Sequence, residues 1–217
     1  MDKGVYFITG IDTNIGKSIA TGWLANELRR MGVNLTTQKM IQTGNETISE
    51  DIELHRQIMG EPLSDLDLDG TTCPIIFTYP ASPHLAARID GREADLSLIE
   101  RSSKRLAELY DVVLLEGAGG LMVPLTEDIL TIDYVAQRGY PVILVTSGRL
   151  GSINHTILSI EAIKSRGLRL ETIIYNRFLK CDELIESDTR EYLASYIKKF
   201  SPETTLLVMD EVNLSKQ

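Results

Sequence analysis

The sequence predicts an α/β fold, a single domain over residues 1–217 with a mostly parallel sheet and helices on both faces. Three observations carry this. Short apolar runs recur along the chain, among them Val112-Val113-Leu114-Leu115 and Pro141-Val142-Ile143-Leu144-Val145; continuous runs of that kind mark strands covered on both sides. Amphipathic segments separate the runs, which implies right-handed crossovers between parallel strands. The first run, Val5-Tyr6-Phe7-Ile8, feeds Gly10-Ile11-Asp12-Thr13-Asn14-Ile15-Gly16-Lys17-Ser18, and a helical pattern opens near Ile19.

The elements follow in order. After the first strand and its turn, Ala20, Trp23, Leu24, Leu28 and Met31 recur at helical spacing, with Gly32 as the stop. Leu35-Thr36-Thr37-Gln38 is a short second strand ending at Lys39, and Asp51 to Met59 a short helix closed by Gly60 and Pro62. The next thirty residues read as irregular, punctuated by Pro74, Pro80 and Pro83. Asp95 caps a helix whose Leu96, Ile99, Leu106 and Leu109 share a face, and the runs at 112–115 and 141–145 follow as strands. Ile153, Ile157 and Ile160 mark a helix stopped near Gly167, and Thr172-Ile173-Ile174-Tyr175 is a strand. A final helix carries Ile185, Thr189, Tyr192, Tyr196 and Phe200, before a last strand at Thr205-Leu206-Leu207-Val208.

Composition narrows the function. At 217 residues, 43% hydrophobic and 24% charged, the chain has globular values. A net charge of −9 argues against a nucleic-acid binder, which needs a basic face, and against an anionic-membrane surface protein. Cys73 and Cys181 have no Cys-x-x-Cys spacing and suit free thiols in a reducing compartment. Met1-Asp2-Lys3-Gly4 runs into the first strand without a signal-peptide pattern, and no apolar run approaches the roughly 20 residues of a membrane span. The expectation is a soluble, cytoplasmic protein with neither nucleic-acid nor membrane partners.

In such sheets ligands bind beyond the carboxyl ends of the strands. The residues at those ends are the Gly-Lys-Ser turn, Lys39, Glu116, Gly148 to Asn154, and Asn176. A strand feeding Gly16-Lys17-Ser18 at a helix N-terminus is the setting of a P-loop, so the domain is expected to be P-loop NTPase-like. Loop N–H groups and the helix dipole favour a phosphate there, Lys17 supplies a cation, and Ser18 faces a magnesium ion. The spacing is unusual: five residues, not four, separate Gly10 from Gly16.

Glu116 closes a buried strand beside that loop, where such proteins hold the nucleotide's magnesium, and Gly117-Ala118-Gly119-Gly120 after it lets backbone approach a ligand. Lys39 ends its strand on the same sheet edge, placed either to neutralise a transferring phosphoryl group or a substrate carboxylate, or as a surface lysine. Asp65-Leu66-Asp67-Leu68-Asp69-Gly70 imitates a calcium loop, but its twelfth position is Ile76, so it reads as a solvated acidic loop. His55, His84 and His155 show no metal-ligand spacing. Pro80-Ala81-Ser82-Pro83-His84 either shapes a pocket or packs as a polar loop. Leu150-Gly151-Ser152-Ile153-Asn154-His155 is either an anion site for a substrate carboxylate or a helix capped by Ser152. Asn176 either reads a base edge or starts a turn.

Taken together these segments resemble the dethiobiotin synthetases. The matching pieces are Thr9 to Ser18, Lys39 with Thr43-Gly44, Pro80 to His84, Glu116 to Gly120, Pro141 to Val145, and Leu150 to His155, in the family's order. The five-residue gap is the family's own form. The resemblance implies ATP-dependent carboxylation and ring closure of 7,8-diaminononanoate to dethiobiotin, through a carbamate and a carbamic-phosphoric anhydride. It implies Lys39 and Lys17 as catalytic residues, and ATP contacts at Asn14, Ile15, Gly16, Lys17, Ser18, Ile19, Asp51, Glu116, Gly117, Ala118, Gly119 and Asn176. It implies magnesium at Ser18, Asp51 and Glu116, substrate at Thr43, Ser82 and Asn154, and a homodimer with substrate near the subunit interface.

Three departures stand out. Met40 follows the lysine where a proline is common, Asn14 replaces a frequent acid, and the chain ends soon after Val208-Met209-Asp210 without the family's Pro-containing segment that helps hold the base. Looser nucleotide selectivity is the expectation. A partition-type P-loop ATPase, a nucleotide-switched dimer, is the alternative, but such proteins carry an extra lysine early in the loop, and Gly10 to Asn14 has none. A cobyrinate-type amide synthetase needs a glutaminase domain for which the chain leaves no room.

Overall fold

In the computed structural model, which describes residues 1–179, 181–210 and 212, the sheet and helices alternate along the chain. The expected domain over 1–217 includes residues 180, 211 and 213–217, which lie outside the described residues. Strands run at Gly4–Gly10 (β1), Leu35–Lys39 (β2), Gln42–Thr43 (β3), Ile76–Phe77 (β4), Val112–Gly120 (β5), Val142–Ser147 (β6), Leu170–Asn176 (β7) and Thr205–Met209 (β8). Helices span Lys17–Arg30 (α1), Glu50–Met59 (α2), Asp65–Leu68 (α3), Pro83–Ile89 (α4), Leu96–Leu109 (α5), Thr131–Arg138 (α6), Ser152–Ser165 (α7) and Glu183–Phe200 (α8).

Six strands form one parallel sheet in the order β2-β5-β1-β6-β7-β8, and β3 and β4 pair separately. Because successive strand residues face opposite sides, the sheet divides the core in two. Phe7, Leu115, Leu144 and Ile173 face a layer completed by Ile99 of α5, Ile132 and Val135 of α6, Ile160 and Ile163 of α7, and Ile197 of α8. Tyr6, Ile8, Leu114, Ile143 and Ile174 face the other layer, completed by Ala20, Leu24 and Ala25 of α1 and Met59 of α2. β1 therefore sits at the centre, apolar on both faces, as its continuous run requires. In register, Lys39 lies beside Glu116, and Glu116 beside Ile8, so the carboxyl ends of β2, β5 and β1 open on one rim.

Several elements depart from the sequence expectation. The stretch after Gly60 is not wholly irregular: it contains α3, β4 and α4, with Pro83 at the first position of α4, where its missing N–H costs nothing. The 65–70 segment is not a solvated acidic loop. Ser64 and Asp67 cap α3 reciprocally, and Asp67 is buried against Arg56. Between the strands at 112–115 and 141–145 the sequence reading names no helix, and α6 stands there with Thr131, Ile132, Tyr134 and Val135 buried. In α7 the buried stripe is Ser152, Thr156, Ile160 and Ile163, with Ile153 and Ile157 only partly covered. Leu109, Tyr192 and Phe200 are exposed; Thr189, Leu193 and Ile197 cover the inner face of α8. Both cysteines are free; burial pushes the Cys73 thiol up to about 12.

Candidate functional site

The rim over β1, β2 and β5 holds a cleft of about 760 Å³. Its floor begins with the turn after β1. The backbone there is left-handed at Asn14 (φ 58°) and at Gly16 (φ 88°). Asn tolerates that conformation better than most residues, which accounts for it at position 14, and turns of this kind form anion-binding concavities. Ser49, Asp95 and Asp182 cap α2, α5 and α8 with their side chains, whereas α1 has no side-chain cap and no acid in its first turn. Its leading N–H groups and the positive end of its dipole are left for an anion.

Four polar side chains converge beside this turn. Lys39 Nζ stands 2.5 Å from Asp51 Oδ2, 2.7 Å from Glu116 Oε1 and 3.1 Å from the Gly117 carbonyl. Ser18 Oγ lies 2.6 Å from Asp51 Oδ1 and 2.9 Å from Glu116 Oε1. The serine hydroxyl has one hydrogen, so one of these two contacts sets oxygen against oxygen with no proton between them. Lys17, also buried, reaches 3.4 Å from the Asp12 carbonyl. The α1 and α2 backbones approach closely enough to bring Ser18 to Asp51 because Gly22 has no side chain. A Cβ there would stand 2.9 Å from Ile58 Cδ1 and 3.3 Å from His55 Cα.

Charge follows from this packing. Burial pulls the Lys39 ammonium down, but Glu116 and Asp51 outweigh it and hold it above the usual lysine range. Burial pushes the Glu116 carboxyl up, yet Lys39 and then His55 hold it well below the ordinary value. Lys17 is lowered, chiefly by burial, with Lys39 adding to the fall. Both Lys39 and Glu116 are thus ionised at neutral pH, and two lysines face two carboxylates across the rim.

Asn14, Gly16, Lys17, Ser18, Ile19, Lys39, Thr43, Asp51, Ser82, Glu116, Ala118 and Gly119 all line the cleft. Ile15, Gly117, Asn154 and Asn176 do not. The Ile15 side chain is a core residue of the α1 layer. Gly117 is a glycine because the Phe7 ring packs over it; a Cβ would meet Phe7 Cζ at 2.6 Å. Asn176 is fully buried, donating from Nδ2 to the Ile15 carbonyl (2.9 Å) and accepting at Oδ1 from the Phe178 N–H (2.9 Å), so it braces the turn from beneath. Asn154 is exposed on α7, away from its own chain's cleft. Ser152 makes no cap; Gly151 holds that position, and Ser152 Oγ instead meets Ser147 Oγ at 3.2 Å.

Sequence reasoning missed His55, whose ring nitrogens bond Glu116 and Thr37. The available signal was its place four residues after Asp51, on the same helix face. It also missed Phe178 and Leu179, which wall the cleft from the loop after β7.

A parallel sheet carrying a Gly-Lys-Ser turn, with a serine and an acid side by side at its rim, defines a P-loop nucleotide-binding protein. A family model described as an AAA domain matches residues 4–212. The chain is 50% identical over 210 residues to the ATP-dependent dethiobiotin synthetase BioD 2 of Pasteurella multocida, covering 97% of this chain and 99% of that one. It is 54% identical over 200 residues to the ATP-dependent dethiobiotin synthetase BioD of Chlorobaculum tepidum, covering 92% and 84%. The chain belongs to the ATP-dependent dethiobiotin synthetase family. Among solved structures, FlhF complexed with GMPPNP/Mg(2+) aligns over 98% of this chain and 68% of that one, at TM-score 0.55 and 12% identity. The signal recognition particle receptor FtsY of Elizabethkingia anophelis in complex with GDP aligns over 99% and 59%, at TM-score 0.53 and 12% identity. These two share the fold. No helix among the described residues is long and apolar enough to cross a membrane.

Proposed function

We propose that this chain closes the ureido ring of dethiobiotin: 7,8-diaminononanoate, CO2 and ATP give dethiobiotin, ADP and phosphate. The observation that carries the reading is Lys39, buried between Asp51 and Glu116 at the rim of the P-loop, in a chain half identical to named dethiobiotin synthetases over nearly its whole length. The partition-type alternative is not favoured by those relatives.

One substrate amine adds to CO2, forming an N–C bond and losing a proton, to give a carbamate. A carbamate oxygen attacks the γ-phosphorus and ADP leaves. The neighbouring amine then attacks the carbonyl carbon of the resulting anhydride, phosphate departs, and the second N–C bond closes the ring. The difficult step brings two anions, carbamate and γ-phosphoryl, within bonding distance. Positioned cations are what make this tolerable, and positioning itself removes much of the barrier. Lys17, set by the turn, serves the phosphates; Lys39, held by two carboxylates, serves the transferring group.

The two lysines and two carboxylates offset one another, so the polyphosphate's own charge calls for a further cation. Ser18, Asp51 and Glu116 fit magnesium: their oxygens already crowd together with a proton too few. Among the described residues no group of three or more His, Cys, Asp or Glu side chains could hold a metal ion. A cation completed by phosphate oxygens and water suits this sparse donor set. When bound, magnesium would supply positive charge to the phosphate oxygens.

Thr43 and Ser82 line the cleft and are read as substrate contacts. Asn154 reaches substrate only if a second copy brings it there. The α7 start presents Leu150, 88% exposed, with Leu158 also exposed, which supports a homodimer packed on that surface. Sedimentation analysis checks the dimer. Incubation with diaminononanoate, bicarbonate, magnesium and ATP, with dethiobiotin followed by mass, tests the activity; absence of product from folded, nucleotide-binding protein overturns it.

A further inference from the structure

The two oxygens of Glu116 have separate surroundings. Oε1 faces Lys39 and Ser18, while Oε2 meets His55 Nε2 at 2.8 Å. His55 is fully buried and does not line the cleft. An ionised carboxylate only accepts, so Nε2 carries the hydrogen, and in the neutral imidazole Nδ1 then accepts from the Thr37 hydroxyl at 3.1 Å. Thr37 Oγ1 in turn accepts from Arg56 Nη1 at 3.0 Å. Arg56 is held by a two-pronged bond to Asp67, Nε to Oδ2 at 2.9 Å and Nη2 to Oδ1 at 2.8 Å, and Asp67 accepts further from Ser64 and Thr72. This assignment gives each donor and acceptor in the chain a partner, and the chain terminates on the oxygen of Glu116 that turns away from the cleft.

We infer that His55 is a positioning residue: its Nε2–H pins Glu116 Oε2 and thereby fixes Oε1 as the oxygen presented to Ser18, Lys39 and the cation. The terminal torsion of a glutamate is broad and two-fold, so the carboxylate has little orientation of its own. Without the imidazole, Oε2 is a buried acceptor lacking a donor, and the carboxylate turns toward the nearest ones, Lys39 and Ser18. The α2 helix delivers both Asp51 and His55, four residues apart on one face, so it carries one carboxylate of the site and the orienter of the other. Networks of this kind behind metal-binding carboxylates commonly change metal affinity roughly 10–100-fold when broken.

The inference rests on the magnesium reading above, and the experiment separates the two. Full-length wild type, H55L, H55Q and H55N are compared by calorimetry of ATP binding as magnesium is titrated, with thermal melting run in parallel. The Gln amide nitrogen reaches the place of Nε2, whereas that of Asn is too short. H55L and H55N should raise the half-saturating magnesium concentration on the order of tenfold, and H55Q should restore it to near wild type. Folded H55L with an unaltered magnesium dependence, or H55Q impaired as much as H55N, overturns the inference while leaving magnesium ligation standing. Wild-type ATP binding that ignores magnesium overturns both. If H55L fails to fold, the H55Q and H55N pair decides alone.

Discussion

Gly16→Ala perturbs the turn where backbone geometry and its support meet. Two penalties follow from the structure. Gly16 has φ +88°, so any side chain there carries left-handed strain of about 1–2 kcal/mol. The added Cβ would also stand 2.3 Å from Asn176 Nδ2, a side chain fully buried and held at both ends by Ile15 and Phe178. Asn176 has to give way, losing hydrogen bonds worth about 1 kcal/mol each and exposing buried partners to further cost. Gly16→Ala alone should therefore cost about 3 kcal/mol, and Asn176→Ala alone about 2–3 kcal/mol. In the double variant the clash is gone and only backbone strain adds to the Asn176 loss, so the sum should overshoot the measured value by at least about 1 kcal/mol. Urea unfolding of the four proteins measures this, with ATP binding followed on each. Additivity within about 0.5 kcal/mol would refute the claim that Asn176 braces the turn by direct contact.

Lys39→Ala should abolish dethiobiotin formation while ATP still binds, and destabilise the chain by about 3 kcal/mol, since Asp51 and Glu116 lose their shared cation; loss of ATP binding instead assigns Lys39 a scaffold role. Burial raises the Asp67 carboxyl, but Arg56, Ser64 and Thr72 outweigh it and bring it from 3.8 to about 2. A depressed carboxyl stabilises the fold above its ordinary value and loses that contribution as pH falls, here between about 4 and 2. The shift corresponds to about 2 kcal/mol, so Asp67→Asn should lack that portion of the wild-type acid loss, as read by urea unfolding across pH. With Asn176 committed to Ile15 and Phe178, and with the apolar Phe178 and Leu179 walling the cleft, turnover with CTP and GTP should lie within roughly tenfold of ATP, about 1.4 kcal/mol; a strict ATP requirement counts against this.

Local chemistry was legible in the chain itself. The apolar runs at 5–8, 112–115 and 141–145 announce buried parallel strands, since only such strands are covered on both faces. Gly16-Lys17-Ser18 after the first of them fixes a helix N-terminus ready for an anion, and Lys39 and Glu116 follow as residues at strand ends. The tertiary structure alone decided what lies sideways. Strand order sets Lys39 beside Glu116, 77 residues away in sequence, and α2 brings His55 against the far side of that carboxylate. It turned Asp67 from an expected surface acid into the buried partner of Arg56, Gly117 into a seat for Phe7, and Asn176 into a brace beneath the turn. Backbone preferences and periodicity act over a few residues and so are written locally. Which buried polar atoms meet depends on sheet order and helix approach, and a buried donor or acceptor takes whatever partner the fold sets against it.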